Sequence, residues 1–182
     1  MKKRFSAVWV AALVAVGAAL AGSPSAVADS ADGSAAVIDR SPVVRAVTAE
    51  DFPVIPEVGK SATVASRGKQ VTVTRVSSAC SMSYSLGTPY KANNRIYASA
   101  DIARSSGCSG DLYVYANLWG TNFGGGDISQ ASNGITLQPG TGAYLPLITN
   151  ICTYGYNANW HSNAQGWGSG NNSPTVTLPC HF

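Results

Sequence analysis

The chain has 182 residues, a formal net charge of +3 and only 12% charged residues. From residue 60 to the end the basic residues are scattered singly rather than clustered, so no surface for nucleic acid is indicated and we expect no nucleic-acid partner. The length allows one domain with a modest core, and no segment after the N-terminal region approaches the roughly 18–20 apolar residues that a membrane crossing needs.

The first 28 residues have the pattern of a secretory signal peptide. Residues 1–4 are basic, residues 7–20 are apolar but short for a spanning helix, and residues 26–28 match the small-residue cleavage site. We therefore expect residues 1–28 to be removed, no membrane span in the mature protein, and a secreted, extracellular location.

Residues 29–67 are predicted to be an extended or disordered interaction segment. Residues 29–59 contain six acidic and two basic residues, a net charge of −4, whereas residues 60–182 contain seven basic and three acidic residues, a net charge of +4. Three prolines break any helix, and the segment is richer in apolar residues than an idle Gly/Ser linker.

Two interpretations of this segment remain open. It is either a tether or removed pro-segment, or a peptide that docks in a groove or adds a strand to a partner. Docking on its own domain is less favoured, because the basic residues of the domain are scattered. On the second interpretation the segment is disordered alone and ordered in a complex, with partner-binding anchors at Val43, Val44, Phe52, Val54 and Ile55.

Residues 68–182 are predicted to form an all-β domain. Apolar and polar residues alternate with a period of two along several stretches, none of which shows helical periodicity. Turn signals separate these stretches, including Asn133-Gly134, a dipeptide preferred in tight hairpins. The expected fold is an immunoglobulin-like β-sandwich of about seven to nine short antiparallel strands, with two disulfides, preceded by the extended segment.

Residues 111–120 form the clearest predicted strand. One face is aliphatic and suits a core. The other face is aromatic with polar groups, which is typical of a packed sheet and less often of a binding surface. Its candidate partner-binding residues are Tyr113, Tyr115 and Trp119.

The four cysteines, Cys80, Cys108, Cys152 and Cys180, fit an oxidising compartment, and none forms the Cys-x-x-Cys pair of a zinc or redox site. The intervals from 80 to 108 and from 152 to 180 are both 28 residues. We therefore favour the pairs Cys80–Cys108 and Cys152–Cys180, although four cysteines allow three connectivities.

Motifs for catalysis, cofactors or metals are missing from residues 68–182. This part has no Glu and only three Asp and two His, and it lacks a nucleophile elbow, a phosphate loop and a calcium loop. We expect no enzyme activity, no cofactor and no metal. One alternative function is carbohydrate binding through exposed Trp and Tyr, for which Trp160 is either a contact or a core residue. A second alternative is inhibition of a hydrolase or protease.

Residues 106–110 (Ser-Gly-Cys-Ser-Gly) before a strand, Cys152, and the closing residues 173–180 (Ser-Pro-Thr-Val-Thr-Leu-Pro-Cys) resemble a group of small exported actinobacterial proteins. These have an alanine-rich signal and a two-disulfide β-sandwich, and the resemblance covers residues 70–182. Within the group the chain is similar to the adaptor subunits of umbrella toxin particles, which are extracellular antibacterial assemblies.

In those particles a small disulfide-bonded adaptor joins a lectin-like subunit to the repeats of a large toxin subunit. The resemblance implies a secreted, non-enzymatic adaptor whose partners are other secreted proteins of these two kinds. The N-terminal segment is then expected to dock on one partner and the sandwich on another.

Overall fold

The structure, a computed structural model, describes residues 38–121, 124–166 and 169–181. The described residues form one compact unit, and the predicted signal peptide lies outside them. No helix in the described ranges is long and apolar enough to cross a membrane. The strands are β1 Val43–Ala46, β2 Ser61–Ser66, β3 Lys69–Arg75, β4 Ser81–Leu86, β5 Tyr90–Ala92, β6 Arg95–Arg104, β7 Leu112–Thr121, β8 Asp127–Leu137, β9 Thr141–Ile148, β10 Tyr154–Gly166, β11 Ser169–Asn172 and β12 Val176–His181.

The strands form two antiparallel sheets, which confirms the predicted all-β sandwich. Sheet A has the order β1-β9-β6-β4-β3-β2, with β5 beside β6, and sheet B has the order β11-β10-β7-β8, with β12 beside β10. The described residues contain twelve strands rather than seven to nine, because β1, β5 and β11, each of only three or four residues, extend the sheets beyond the clearly alternating stretches.

The core lies between the two sheets and follows the predicted alternation. Along β7, Val114, Ala116 and Leu118 are fully buried, and along β10 the indole of Trp160 is 1% exposed. Burial of a large apolar side chain contributes roughly 1.5–3 kcal/mol each. Trp160 is therefore a core residue, which was one of its two predicted roles.

Both predicted disulfides are confirmed. Cys80, just before β4, bonds to Cys108, just before β7, and Cys152, after β9, bonds to Cys180 in β12. Each bond closes a loop of 28 residues, for which loss of chain entropy in the unfolded state contributes about 3–4 kcal/mol. The second bond ties the end of a sheet A strand to sheet B.

Asn133-Gly134 does not form the hairpin turn that its sequence suggested. Both residues lie within β8, where Asn133 pairs with Ala116 and Gly134 with Tyr115. Pairing with β7 on both sides of these two residues, with a register shift only between Leu118 and Trp119, satisfies the backbone groups of β8, and this outweighs the local turn preference. The turn after β8 occurs instead around Gly140, which has a φ of +78°.

Part of the predicted N-terminal segment is integrated into sheet A. Strand β1 pairs with β9 at one edge of the sheet, and β2 pairs with β3 at the opposite edge. Residues 47–60, here called the strap, connect these two edges. Ser83, Ser85 and Asp101 alternate with core residues and so face outward, and they line the same cleft as Thr48 and Asp51 of the strap. The strap therefore crosses the outer face of sheet A.

Candidate functional site

The two outer faces of the sandwich differ in what covers them. The strap lies over the outer face of sheet A. Val73 belongs to this face, because it pairs with the outward-facing Ser83, and its side chain is fully buried. The outer face of sheet B is open to solvent, with Tyr113 61% exposed. The open face is therefore the main candidate for binding.

Strand register builds this open face from β7 and β10. Tyr115 lies opposite Gln165, Asn117 opposite Asn163, and Trp119 opposite His161. Directly opposed residues of an antiparallel pair project to the same side of the sheet, so aromatic and amide side chains form two adjacent rows. We call this surface the aromatic-amide face; it consists of Tyr113, Tyr115, Asn117, Trp119, His161, Asn163 and Gln165.

Contacts between these side chains fix their positions. The Tyr113 and Tyr115 rings stack with centroids 6.2 Å apart and planes inclined by 23°. The hydroxyl of Tyr115 donates to Oε1 of Gln165, and Nδ2 of Asn117 donates to Oδ1 of Asn163 over 3.2 Å. Such contacts hold the side chains in place before any ligand arrives, which lowers the entropic cost of binding.

The Trp119 indole stacks on the His161 imidazole, with centroids 6.5 Å apart and planes inclined by 11°. Its Nε1 is buried and has no hydrogen-bond partner among the described residues. The predicted partner-binding residues Tyr113, Tyr115 and Trp119 thus lie on one surface. Tyr113 is open to solvent on this surface, whereas Nε1 of Trp119 is buried.

A shallow depression of about 540 Å³ lies at the tyrosine end of the aromatic-amide face, and β8 supplies its far side. Gly134 makes the depression possible, because a Cβ there would stand 2.4 Å from the hydroxyl oxygen of Tyr113. Sequence reasoning identified the tyrosines but not their β8 neighbours, since it placed Gly134 in a turn. The depression is lined by Tyr113, Tyr115, Asn117, Ser132, Asn133 and Gly134.

The predicted anchors of the N-terminal segment do not share one environment. Val43 and Val44, in β1, are 58% and 53% exposed, and Ile55, in the strap, is 73% exposed. Phe52 and Val54 are half-buried. The segment therefore offers accessible apolar groups in β1 and at Ile55, while Phe52 and Val54 are partly covered.

A polar cleft of about 380 Å³ lies between the strap and sheet A. Arg45 of β1 donates to both carboxylate oxygens of Asp51 in the strap, at 2.8 and 2.5 Å, and to Oδ1 of Asp101 in β6 at 2.7 Å. Glu50 pairs with Arg67 at the rim of the cleft. Both acids of the central cluster are thus held by one guanidinium group.

These contacts shift the pKa values of the cluster. Burial raises the pKa of Asp51, but hydrogen bonds from Arg45 and from the Thr48 backbone N–H, with the charge of Arg45, outweigh burial and hold it below the ordinary value of 3.8. The pKa of Arg45 is raised, chiefly by its hydrogen bonds to Asp51, although burial of the guanidinium group acts in the opposite direction. Arg45 therefore remains charged, and the cluster is a structural fastening of the segment.

The ion pairs of the segment follow the opposite net charges of residues 29–59 and 60–182 only in part. Glu50 of the segment pairs with the domain base Arg67, whereas Arg45 is a segment base and Asp101 a domain acid. Across the described ranges, no three His, Cys, Asp or Glu side chains stand close enough to hold a metal ion. The charged groups described in the cleft are therefore engaged in ion pairs with one another.

Comparison with protein-family models, with curated proteins and with solved structures finds no match for this chain. A functional assignment therefore depends on the surfaces described above and on the resemblance carried by the sequence motifs.

Proposed function

We propose that the protein is a secreted, non-enzymatic interaction module that acts as an adaptor in an extracellular, toxin-type assembly used in competition between bacteria. The observation that carries this proposal is β1, a four-residue edge strand with two adjacent valines more than half exposed. Apolar side chains on an open edge are the combination that proteins use to add a strand from a partner.

The geometry of β1 supports docking by strand addition. One side of the strand pairs with β9, through Val43 with Tyr144 and Val44 with Ala143. In an antiparallel pair, alternate residues direct their N–H and C=O groups away from the neighbouring strand, so the other side of β1 offers main-chain donors and acceptors. A partner strand gains these hydrogen bonds and covers Val43 and Val44.

The strap offers a second accessible apolar group, away from β1, because its Ile55 end is held by β3 near the opposite edge of sheet A. Ile55 is 73% exposed, yet the strap that carries it is fastened at Arg45 and by the bond from the Arg75 guanidinium to the Pro56 carbonyl. A partner can therefore contact the segment without first ordering it. The proposal takes its partner classes, a large repeat-containing subunit and a lectin-like subunit, from the resemblance.

Secretion forms part of the proposal. Two disulfides are compatible with an oxidising compartment, and the N-terminal residues 1–28 have the composition of a signal peptide. The adaptor assignment does not use the aromatic-amide face of sheet B, and the ligand of that face is considered in the next subsection.

The test is co-purification of the mature protein from culture supernatant, followed by mass spectrometry of what elutes with it. We expect a large repeat-containing partner with the wild type and its loss in a Val43→Asp, Val44→Asp double variant. Ile151→Asp is the matched control, because Ile151 is 57% exposed but lies outside the segment.

Folding of each variant is checked by circular dichroism, so that loss of partner is separated from loss of structure. A folded double variant that keeps every partner contradicts the assignment of β1. A wild-type protein that elutes alone contradicts the adaptor function itself.

A further inference from the structure

We propose that the aromatic-amide face binds an uncharged polysaccharide chain laid along β7. The sugar rings pack on Tyr113 and Tyr115, and the hydroxyl groups bond to the amides of Asn117, Asn163 and Gln165. This inference goes beyond the proposed function, because it assigns a ligand to a surface that the adaptor role does not use. It depends on sheet B alone, whereas the adaptor assignment depends on β1 in sheet A.

The tyrosine pair supplies the stacking surface. The two rings, 6.2 Å apart and inclined by 23°, stack along the strand as an aromatic strip, and Tyr113, which is 61% exposed, leaves ring surface open to solvent. A pyranose ring presents C–H groups on its faces, and these pack favourably on the electron-rich face of an aromatic ring. From Tyr113 to Trp119 the strand rises about 20 Å, which is enough for a short run of sugar units.

The amides beside the strip retain unused hydrogen-bonding groups. The bond from Nδ2 of Asn117 to Oδ1 of Asn163 occupies one group of each residue, so Oδ1 of Asn117 and Nδ2 of Asn163 remain available. Gln165 accepts from Tyr115 through Oε1 and keeps its Nε2 donor. A sugar hydroxyl both donates and accepts, so adjacent amide donors and acceptors match adjacent hydroxyls.

The side chains of this face favour a neutral glycan over a charged polymer or a protein. None of its residues is Lys, Arg, Asp or Glu, and the same holds for the depression formed with Ser132, Asn133 and Gly134. An anionic polymer gains no ion pair here, and a neutral one leaves no charge unpaired. The face also has no aliphatic side chain, Met or Arg, whereas protein interfaces are enriched in Met and Arg beside aromatics.

Gly134 shapes the binding surface from the neighbouring strand. Any side chain at this position meets the Tyr113 phenol, with a Cβ-to-oxygen distance of 2.4 Å. Glycine therefore lets the ring of Tyr113 lie low over β8 and leaves the depression open beside it. A turn role cannot account for this glycine, because it is paired within the strand.

The experiment uses the mature protein with both disulfides intact and three insoluble probes: cellulose, chitin and starch. Depletion from solution is measured at about 0.05 M and about 0.5 M salt, because ion pairs weaken across this range and stacking does not. We expect retention on at least one probe, with an affinity unchanged by salt.

We expect Tyr113→Ala and Gln165→Ala each to weaken retention at least about tenfold. The first variant removes aromatic stacking area, and the second removes an amide group that Tyr115 holds in position. Tyr90→Ala is the matched control, since Tyr90 is a similarly exposed tyrosine, 57% accessible, that stacks on Tyr97 in sheet A. It is expected to keep full retention.

The proposal is overturned by no retention on any of the three probes, by equal retention of the wild type and a folded Tyr113→Ala variant, or by retention that is lost at the higher salt concentration. A protein partner lost in Tyr113→Ala without any glycan retention also overturns it and assigns the face to that protein. The Val43→Asp, Val44→Asp variant is expected to keep glycan retention, which separates this result from failure of the adaptor assignment.

Discussion

Arg45 in β1 and Asp101 in β6 form an ion pair across β9, with 2.7 Å between Nη2 and Oδ1. The same guanidinium group holds Asp51 of the strap, so one side chain fastens the edge strand, the strap and the sheet together. Because Asp51 and Asp101 depend on the same cation, loss of Arg45 leaves two partly buried carboxylates facing each other.

Arg45→Gln is expected to lower the free energy of unfolding by about 1–2 kcal/mol, since it removes charge-assisted hydrogen bonds and leaves the two carboxylates unpaired. Urea unfolding measures this change. Arg67→Gln is the matched control, because the Arg67–Glu50 pair is exposed and such pairs contribute little. Equal destabilisation by both variants would show that Arg45 has no special role.

The pH dependence follows from the lowered pKa of Asp51. A carboxyl whose pKa is lower in the folded protein than in the unfolded chain adds stability above the unfolded value, about 3.9, and this is lost as pH falls below it. We expect the stability of Asp51→Asn to fall less steeply than that of the wild type below about pH 4. Urea midpoints measured from pH 6 to about pH 3 test this, with Asp111→Asn as an exposed control. Parallel curves for all three proteins would contradict it.

The two disulfides are expected to contribute equally. Both close loops of 28 residues, so the Cys80→Ser, Cys108→Ser and the Cys152→Ser, Cys180→Ser double variants should each lose about 3–4 kcal/mol. Chemical denaturation of each variant gives the values. A large inequality would mean that contacts in the folded state, rather than loop entropy, determine the contribution of one bond.

Gly120 makes room for the core tryptophan. A Cβ at this position would lie 2.8 Å from the indole of Trp160, so Gly120→Ala is expected to cost about 1–3 kcal/mol and to change the near-ultraviolet circular dichroism of the tryptophan. Gly155→Ala is the control, because a Cβ there meets no atom within 4 Å. A neutral Gly120→Ala would show that the indole can shift freely.

The β-sandwich could be predicted because strand alternation and cysteine spacing can be recognised directly along the chain. Alternation along residues 111–120 identified β7 and its two faces, and the equal cysteine intervals favoured the disulfide pairs that the structure contains. Pairing of β1 with β9 could not be predicted, because partners such as Val43 and Tyr144 are 101 positions apart and meet only when the register of sheet A is fixed. The Asn133-Gly134 turn signal gave the wrong local structure because strand pairing over the length of β8 outweighed it.

The aromatic-amide face was predictable in part. The alternation of β7 indicated Tyr113, Tyr115 and Trp119, but their partners Gln165, Asn163 and His161 come from β10, some forty residues or more further along the chain. A two-residue shift in register would have brought different side chains together on this face. The residues of one strand therefore predict only one row of side chains on a sheet surface. To predict the neighbouring row, one must know which strand pairs with the first and in what register.

The position of β1 has a consequence for processing of the chain. Strand β9 is eight residues long and rich in apolar residues, and β1 pairs with its first four residues, 141–144. Proteolysis that removed the chain up to Ala46 would turn β9 into a bare sheet edge, the geometry that promotes pairing between identical molecules and aggregation. Because β9 is longer and richer in apolar residues than β1, an N-terminally trimmed product is expected to self-associate at lower concentrations than the longer chain.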